Sequence, residues 1–129
     1  MKFVIPLDPR TKKNHSQIVR GRLVPSKQYT IYRKEALKSL LAQKRPQEPI
    51  NYPVNVKALY FMKTHRKVDR PNLENALLDV LVDAGILEDD NCTIAATADG
   101  SKVLYDKENP RTEVEIEKLC DDREKTERK

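Results

Sequence analysis

The segment from Pro71 to Gly85 has the most regular pattern in this chain. Its apolar residues recur every three or four positions, the spacing that places them on one face of an α-helix. They are Leu73, Ala76, Leu77, Val80, Leu81 and Ala84. Proline is favoured in the first turn of a helix, and glycine directly after the last turn. The sequence therefore predicts an amphipathic helix that begins near Pro71 and ends at Gly85.

Shorter patterns on both sides of this helix predict the remaining elements. Residues 54–63 alternate between apolar and polar side chains, which indicates the longest strand and a central place in a sheet. Apolar spacings of three and four over residues 28–44 predict a second amphipathic helix. The other predicted strands are residues 2–7, a hairpin over 17–24, a hairpin of 92–98 and 102–105 around Asp99-Gly100, and residues 112–117. This order indicates an α+β fold, a single domain with a mixed β-sheet and two amphipathic helices packed on it.

Length and composition limit the class of protein. A chain of 129 residues is long enough for one domain with a single core. No apolar run approaches the ~20 residues that cross a bilayer, and the first residues turn polar too soon for a signal peptide. Cys92 and Cys120 have no spacing typical of a zinc site or a disulfide framework, so we expect free thiols and a cytoplasmic protein. Beyond Cys120 the chain has no apolar residue, and residues 120–129 are predicted to be a charged flexible tail.

The charge of the chain is divided unevenly, although its net value is only +5. Residues 1–46 contain 12 Lys and Arg but only Asp8 and Glu35 as acids, a net charge of +10. The remaining 83 residues contain 13 Lys and Arg and 18 Asp and Glu, a net charge of −5. A basic first third with an acidic remainder is typical of proteins that hold nucleic acid on one face and metal on another. An ordinary solvated basic surface is the alternative.

Acidic and amide side chains surround the predicted helix. Asp69 precedes it, and Asp89 and Asp90 follow it. The residues that share its polar face by three-and-four spacing are Asn72, Asn75, Asp79 and Asp83. Carboxylates are hard oxygen ligands for Mg²⁺, and the basic run at residues 63–67 could hold a phosphate backbone. This combination indicates a metal-dependent nuclease.

Two simpler roles are open for the same acidic residues. Asp69 could serve only as the N-cap of the helix. Asp89, Asp90 and Asn91 could form a turn through bonds from side chain to backbone. Moreover, Asp69 and Asp90 can meet only if the loop over residues 85–88 turns back and the next strand runs antiparallel to the helix. Spacing alone does not decide between a metal site and a cap plus a turn.

From Asp69 to Asp90 the chain carries a longer pattern, made of Asp69, Asn72, Asp79, Ala84-Gly85 and Asp89-Asp90. It resembles the RusA family of Holliday-junction resolvases, whose pattern is Asp-x-Asp-Asn-x-x-Lys, a later Asp in the same helix, Ala-Gly and a final Asp-Asp. The resemblance covers most of residues 1–118 and implies a RusA-like nuclease domain over residues 1–119. It implies a homodimer that binds four-way junction DNA and nicks two strands with Mg²⁺, or with Mn²⁺ as the alternative ion, in bacterial or phage recombination and repair. No membrane and no small-molecule cofactor are expected.

The resemblance also implies roles for individual residues. Asp69 and Asp90 are the expected metal ligands and catalytic residues, and Asp89 and Glu74 are expected to assist them. The expected phosphate contacts are Arg10, Lys12, Lys13, Arg66, Lys67 and Arg70. Asn72, Asn75 and Asp79 are expected to support the site.

Two departures from the family pattern bear on activity. Pro71 stands where the family has its second Asp, and Asn75 stands where it has Lys. Glu74 could replace the lost carboxylate, because it lies one turn later and helical side chains lean toward the N-terminus. Alternatively, Glu74 is an exposed residue that stabilises the helix start through the dipole.

Two other classes of function compete with a junction resolvase. The first is a catalytically weakened or inactive relative that binds junctions or other DNA without cutting it, because Pro71 and Asn75 replace family residues. The second is a small RNA-binding module. The sequence disfavours it because it shows no aromatic platform on which unpaired bases could stack.

Overall fold

The structure is a computed structural model that describes residues 1–11, 17–19, 22–24 and 27–119, with residues 17–19 and 22–24 described by their backbone. The tail predicted at residues 120–129 lies outside this range, as do Lys12, Lys13 and the predicted turn at Arg20-Gly21. Within the described part of the chain, no helix combines the length and the apolar character needed to cross a membrane.

The described elements are β1 (Lys2–Ile5), β2 (Gln17–Val19), β3 (Arg22–Val24), α1 (Lys27–Leu41), β4 (Val54–Met62), α2 (Arg70–Asp83), β5 (Ala95–Thr97), β6 (Lys102–Tyr105) and β7 (Arg111–Lys118). β1, β4, β5, β6 and β7 form one mixed sheet, in which β7 lies between β1 and β4 and is antiparallel to both. β2 and β3 form a separate antiparallel pair, which confirms the first predicted hairpin. The predicted α+β fold with a mixed sheet and two helices is confirmed.

The longest strand, β4, is central as predicted, because β7 occupies one edge while β5 and β6 occupy the other. Alternate residues of β4 are buried, and these are Val54, Val56, Ala58, Tyr60 and Met62. All six apolar residues that predicted the helix from Pro71 to Gly85, which is α2, are buried as well. Because β4 and β5 are parallel, the intervening α2 runs back across the sheet in the opposite direction. The apolar face of α2 is buried, and its polar face is therefore available to contact groups other than the core.

The second predicted hairpin, around Asp99-Gly100, is wrong. β5 and β6 do not pair with each other but follow one another along the same edge of β4, both parallel to it. Between them the carboxamide of Asn55 replaces ladder bonds: it accepts from the Asp99 N–H at 2.7 Å and donates to the Asp99 carbonyl at 3.1 Å. The hydroxyl of Ser101 accepts from the N–H of Ala58 at 3.0 Å. These side chains keep the segment on β4, and Gly100, with a φ of 86°, redirects the chain without reversing it.

Candidate active site

The end of α2 is closed by two backbone hydrogen bonds around a left-handed glycine. Gly85 has a φ of 75°, and its N–H donates to the carbonyl of Val82 at 3.0 Å. The N–H of Ile86 donates to the carbonyl of Leu81, also at 3.0 Å. This pair of bonds satisfies carbonyls that a helix end would otherwise leave without partners. The acidic turn that follows therefore starts from a well-defined point beside the last turn of α2.

Asp89, Asp90 and Asn91 form the turn that their side chains predict. The N–H of Asp90 donates to Asp89 Oδ1 at 2.7 Å, and Asn91 Nδ2 donates to Asp89 Oδ2 at 3.1 Å. The hydrogen bond with the Asp89 carboxyl raises the pKa of Asp90, and burial and the charges of Asp89 and Asp79 raise it further. Two neighbouring carboxyl groups oppose each other's ionisation in this way. A cation bound at the turn would relieve that repulsion.

This turn forms part of an open cleft between α1 and α2 with a volume of about 930 Å³. The cleft is lined by Tyr29, Thr30, Arg33, Lys34, Leu37, Asp79, Val82, Asp83, Asp89 and Asp90. Arg33 is paired with Asp83 across the two helices. Burial raises the pKa of Tyr29, and the negative charge of Asp79 adds to that effect. The cleft thus places four carboxylates opposite two cations.

Asp69 occupies the N-cap position of α2, but its side chain makes no capping hydrogen bond. Its backbone carbonyl accepts from the N–H of Asn72 at 3.0 Å. Pro71, in the first turn, has no N–H that could be capped. The alternative in which the Asp69 carboxylate serves only as a cap is therefore wrong. The carboxylate is exposed at the start of the helix, where it can bind another group.

Glu74 leans toward the N-terminal end of α2, in the predicted direction. Its Oε1 lies 3.3 Å from Nε of Arg70, one turn earlier in the helix. It also lines a smaller pocket, of about 200 Å³, together with Tyr60 of β4. Burial raises the pKa of Tyr60, and the charge of Glu74 raises it further. Glu74 therefore faces the sheet beside a cation, and its role as a metal ligand stays a prediction.

The two principal predicted ligands, Asp69 and Asp90, lie at different levels of α2. Asp90 is near Asp79, and Asp79 is ten positions after Asp69, or about 15 Å along the helix axis. The chain does turn back after α2 as the prediction requires, but β5 pairs with the beginning of β4. Over residues 1–11 and 27–119, no three His, Cys, Asp or Glu side chains are grouped so that they could hold a metal ion.

The donors that do lie together nevertheless suit Mg²⁺ or Mn²⁺. Mg²⁺ is commonly held by one or two carboxylates together with water and phosphate oxygens. Asp89 and Asp90 supply two such carboxylates at an exposed turn, and the hydrogen bond between them, together with their charges, raises the pKa of Asp90. Among the predicted supporting residues, Asp79 lies with this pair. Asn72 and Asn75 lie in the first turns of α2, nearer to Asp69.

The predicted phosphate contacts differ in how far other groups already hold them. Arg66 Nη1 and Arg10 Nη2 lie 3.1 Å and 3.2 Å from the same atom, Asp8 Oδ2. Arg70 is held by the ion pair with Glu74 described above. Lys67 is exposed, and none of the ion pairs among described residues involves it. Of the described candidates, Lys67 is therefore the one best placed to meet a phosphate.

Two features of this region were missed by sequence reasoning. The first is Asp8, which forms ion pairs with Arg10 and Arg66. The sequence feature that could have indicated this role is that Asp8 is one of only two acidic residues in residues 1–46. Arg33 reaches the acidic wall of the cleft by pairing with Asp83. The sequence placed Asp83 on the polar face of α2, but no local pattern relates it to α1.

Comparison with known proteins identifies the class to which this fold and site belong, the endodeoxyribonucleases. The family model described as Endodeoxyribonuclease RusA matches residues 6–117. This range contains α1, the sheet strands β4 to β6 and the whole of α2 with the acidic residues at both of its ends. The chain therefore belongs to the RusA endodeoxyribonuclease family, which confirms the resemblance. No curated protein matches the chain significantly.

Proposed function

We propose that this protein is a magnesium-dependent endonuclease that resolves four-way DNA junctions by paired nicks, with Mn²⁺ able to replace Mg²⁺. The observation that carries the proposal is the pair of carboxylates, Asp89 and Asp90, at an exposed turn that borders the cleft between α1 and α2, in a chain of the RusA family. We place the reaction in the recombination and repair of bacterial or phage DNA.

Asp90 and Asp69 are the proposed metal ligands, and Asp89 orients Asp90 by holding the turn. When bound, the ion would lower the pKa of a water molecule and stabilise negative charge that develops on the phosphate. Glu74 is proposed to supply the carboxylate that Pro71 replaces, provided that it leaves Arg70. Its Oε1 is now within 3.3 Å of that guanidinium, so phosphate binding by Arg70 would free Glu74 for the ion.

We further propose that the protein acts as a homodimer and that the completed site lies between two copies. Within one chain, Asp79 beside the Asp89–Asp90 pair is about 15 Å along the helix axis from Asp69, so a second chain is the simplest source of the missing ligand. A four-way junction also has two-fold symmetry, which a symmetric dimer matches with two equivalent sites. The apolar strand β4 is internal to the sheet and does not provide an interface edge.

The DNA is proposed to lie across the start of α2 and the basic loop before it. Lys67 there, and Lys12 and Lys13 outside the described residues, are the proposed phosphate contacts. Arg70 joins them at the first residue of the helix. Contacts to phosphates position a duplex without reading its sequence, as a structure-selective enzyme requires.

The direct test is cleavage of a labelled synthetic four-way junction beside a linear duplex of the same sequence. With Mg²⁺ the protein should cut the junction and leave the duplex intact, and with EDTA it should cut neither. Asp69→Asn and Asp90→Asn should bind the junction and fail to cut it. Asp99→Asn is the matched control, because Asp99 is an exposed aspartate that is not among the proposed ligands, and its substitution should leave cleavage unchanged.

The same assay separates the second candidate function, junction binding without cleavage. The replacement of a family carboxylate by Pro71 and the pairing of Glu74 with Arg70 favour this alternative. If the wild-type protein binds the junction tightly but never cuts it with Mg²⁺ or Mn²⁺, the binding-only function replaces the proposed one.

A further inference from the structure

An exposed pair of stacked aromatic rings lies beside the basic loop. The rings of His65 and Tyr105 have centroids 3.8 Å apart and planes inclined by 26°. Tyr105 is the last residue of β6 and is 44 % exposed, and His65 is also exposed. The two residues are 40 positions apart in sequence, so only the fold brings them together. The described part of the chain thus has an exposed aromatic pair that no sequence pattern predicted.

The strand that carries Tyr105 is exposed along its whole length. All four residues of β6 are exposed, although Val103 and Leu104 are apolar. Among the described strands, β6 pairs with β4 alone. Neighbouring residues of a strand point to opposite faces, so Val103 and Tyr105 lie on the same face of the sheet. Exposed apolar residues grouped in this way are typical of a binding surface.

The surroundings of this aromatic pair are cationic. Lys63 and Lys67 flank His65 in the same loop, both are exposed, and neither pairs with an acid among the described residues. The nearby carboxylate of Asp106 is already held by Arg111 at 2.9 Å. A flat aromatic surface bordered by cations is complementary to a nucleotide, whose base can stack while its phosphates meet the lysines.

We infer that the His65–Tyr105 pair is a stacking platform for an unpaired nucleobase of the bound DNA. The inference rests on the proposed function, since it names a feature of the junction that the protein holds. At the crossover of a four-way junction the base stack is interrupted, so releasing a base there costs less than in a continuous duplex.

The position of the platform relates it to the candidate active site. His65 is four residues before Asp69, which limits the distance between their Cα atoms to about 14 Å. That span corresponds to about four nucleotides along one strand of B-DNA. A base held on the platform would therefore fix the register of the strand that passes Asp69.

The test uses 2-aminopurine, a fluorescent base that is quenched when it stacks. The probe is placed at the crossover of a four-way junction in one arm of the experiment and within a short single strand in the other. Fluorescence and affinity are measured with EDTA, so that cleavage plays no part. The protein has no tryptophan whose emission could interfere.

Tyr105→Leu and His65→Leu each remove one ring, whereas Tyr105→Phe keeps a ring and loses only the hydroxyl. Tyr52→Leu is the matched control, because Tyr52 is another exposed tyrosine beside a cation, with Lys118 Nζ 5.0 Å from its ring centre. Both leucine variants at the platform should lose the change in fluorescence and bind about tenfold more weakly. Tyr105→Phe and Tyr52→Leu should behave like the wild type, and thermal melting shows that each variant is folded.

The possible results distinguish the inference from the function on which it rests. If Tyr105→Leu binds the junction and alters the probe as the wild type does, the platform is only a structural contact and the inference is overturned. If the wild type binds the single strand through Tyr105 but ignores the junction, the platform stands and the proposed function fails. Absence of binding in both arms overturns both.

Discussion

The guanidinium of Arg66 is joined to the carboxylate of Asp8, with 3.1 Å between Arg66 Nη1 and Asp8 Oδ2. Asp8 Oδ1 also accepts from the backbone N–H of Lys63 at 3.0 Å. Asp8 therefore ties the basic loop after β4 to the segment that follows β1. Arg66 contributes to this connection, whereas its neighbour Lys67 remains exposed to solvent.

Arg66→Gln should consequently affect the stability of the fold, whereas Lys67→Gln should affect DNA binding. Arg66→Gln breaks charge-assisted hydrogen bonds at a partly buried site and should lower the free energy of unfolding by about 1–2 kcal/mol. Lys67→Gln should change stability by less than about 0.5 kcal/mol, but it should flatten the salt dependence of DNA binding by about 0.9 log unit for the lost phosphate contact. Urea unfolding and junction binding at several salt concentrations measure the two effects. Equal stability of both variants would contradict the structural role of Arg66.

The elements that sequence could predict are those whose burial follows from their own residues. The six apolar positions of α2 and the alternation of β4 needed no information from elsewhere in the chain. The prediction of a hairpin at Asp99-Gly100 was wrong because the Asp-Gly pair indicates a turn but does not determine which strand pairs with the segments on either side of it. The hydrogen bonds of Asn55 and Ser101 determine the pairing, since they hold the segment between β5 and β6 against β4.

The geometry of the candidate site could be predicted even less well from the sequence, because it depends on contacts between segments that are far apart in the chain. The acidic residues were found from spacing and from the family pattern. Their separation, however, follows from the direction of α2 and from the pairing of β5 with the start of β4. The same limit applies to Asp8 with Arg66 and to His65 with Tyr105, because each pair joins segments that no local pattern relates.

Asp90→Asn should not destabilise the protein at neutral pH. The folded-state pKa of Asp90 is raised from its ordinary value of 3.8, so the folded chain binds more protons than the unfolded chain between the two values. This contribution to stability is fully present below about pH 3.8 and is lost as the pH rises through the raised pKa. The stability of the wild type relative to Asp90→Asn should therefore fall with rising pH across this window. Unfolding at several pH values measures it, and a rise would contradict the assignment.

Glu74→Gln should weaken Mg²⁺-dependent cleavage by more than tenfold if Glu74 replaces the carboxylate lost at Pro71. Its ion pair with Arg70 is partly exposed, so stability should fall by only about 0.3–0.5 kcal/mol. Pro71→Asp should raise cleavage above that of the wild type, because it adds a carboxylate at the position where the resemblance implies a metal ligand. Glu88→Gln, at an exposed glutamate in the loop after α2, is the matched control. If Glu74→Gln cuts as fast as the wild type, Glu74 is not a ligand.

Mixtures of Asp69→Asn and Asp90→Asn test whether the site is shared between two copies. Each variant alone should be inactive. After mixing and exchange of subunits, a mixed dimer would contain one site with both aspartates intact, and it should regain single-strand nicking. The control is a mixture of Asp69→Asn with itself after the same exchange. If the mixed sample stays inactive although subunit exchange is demonstrated, each site is built within one chain.

The central claim is that a dimer of this protein cuts a four-way junction symmetrically with a divalent metal ion. The most direct measurement uses a supercoiled plasmid with an extruded cruciform, which paired nicks convert to the linear form and which a single nick converts to the open circle. With Mg²⁺ the wild type should produce linear plasmid cut at the cruciform, and Asp69→Asn and Asp90→Asn should leave the plasmid supercoiled. A wild-type protein that binds the cruciform and leaves the plasmid supercoiled with both Mg²⁺ and Mn²⁺ would contradict the account.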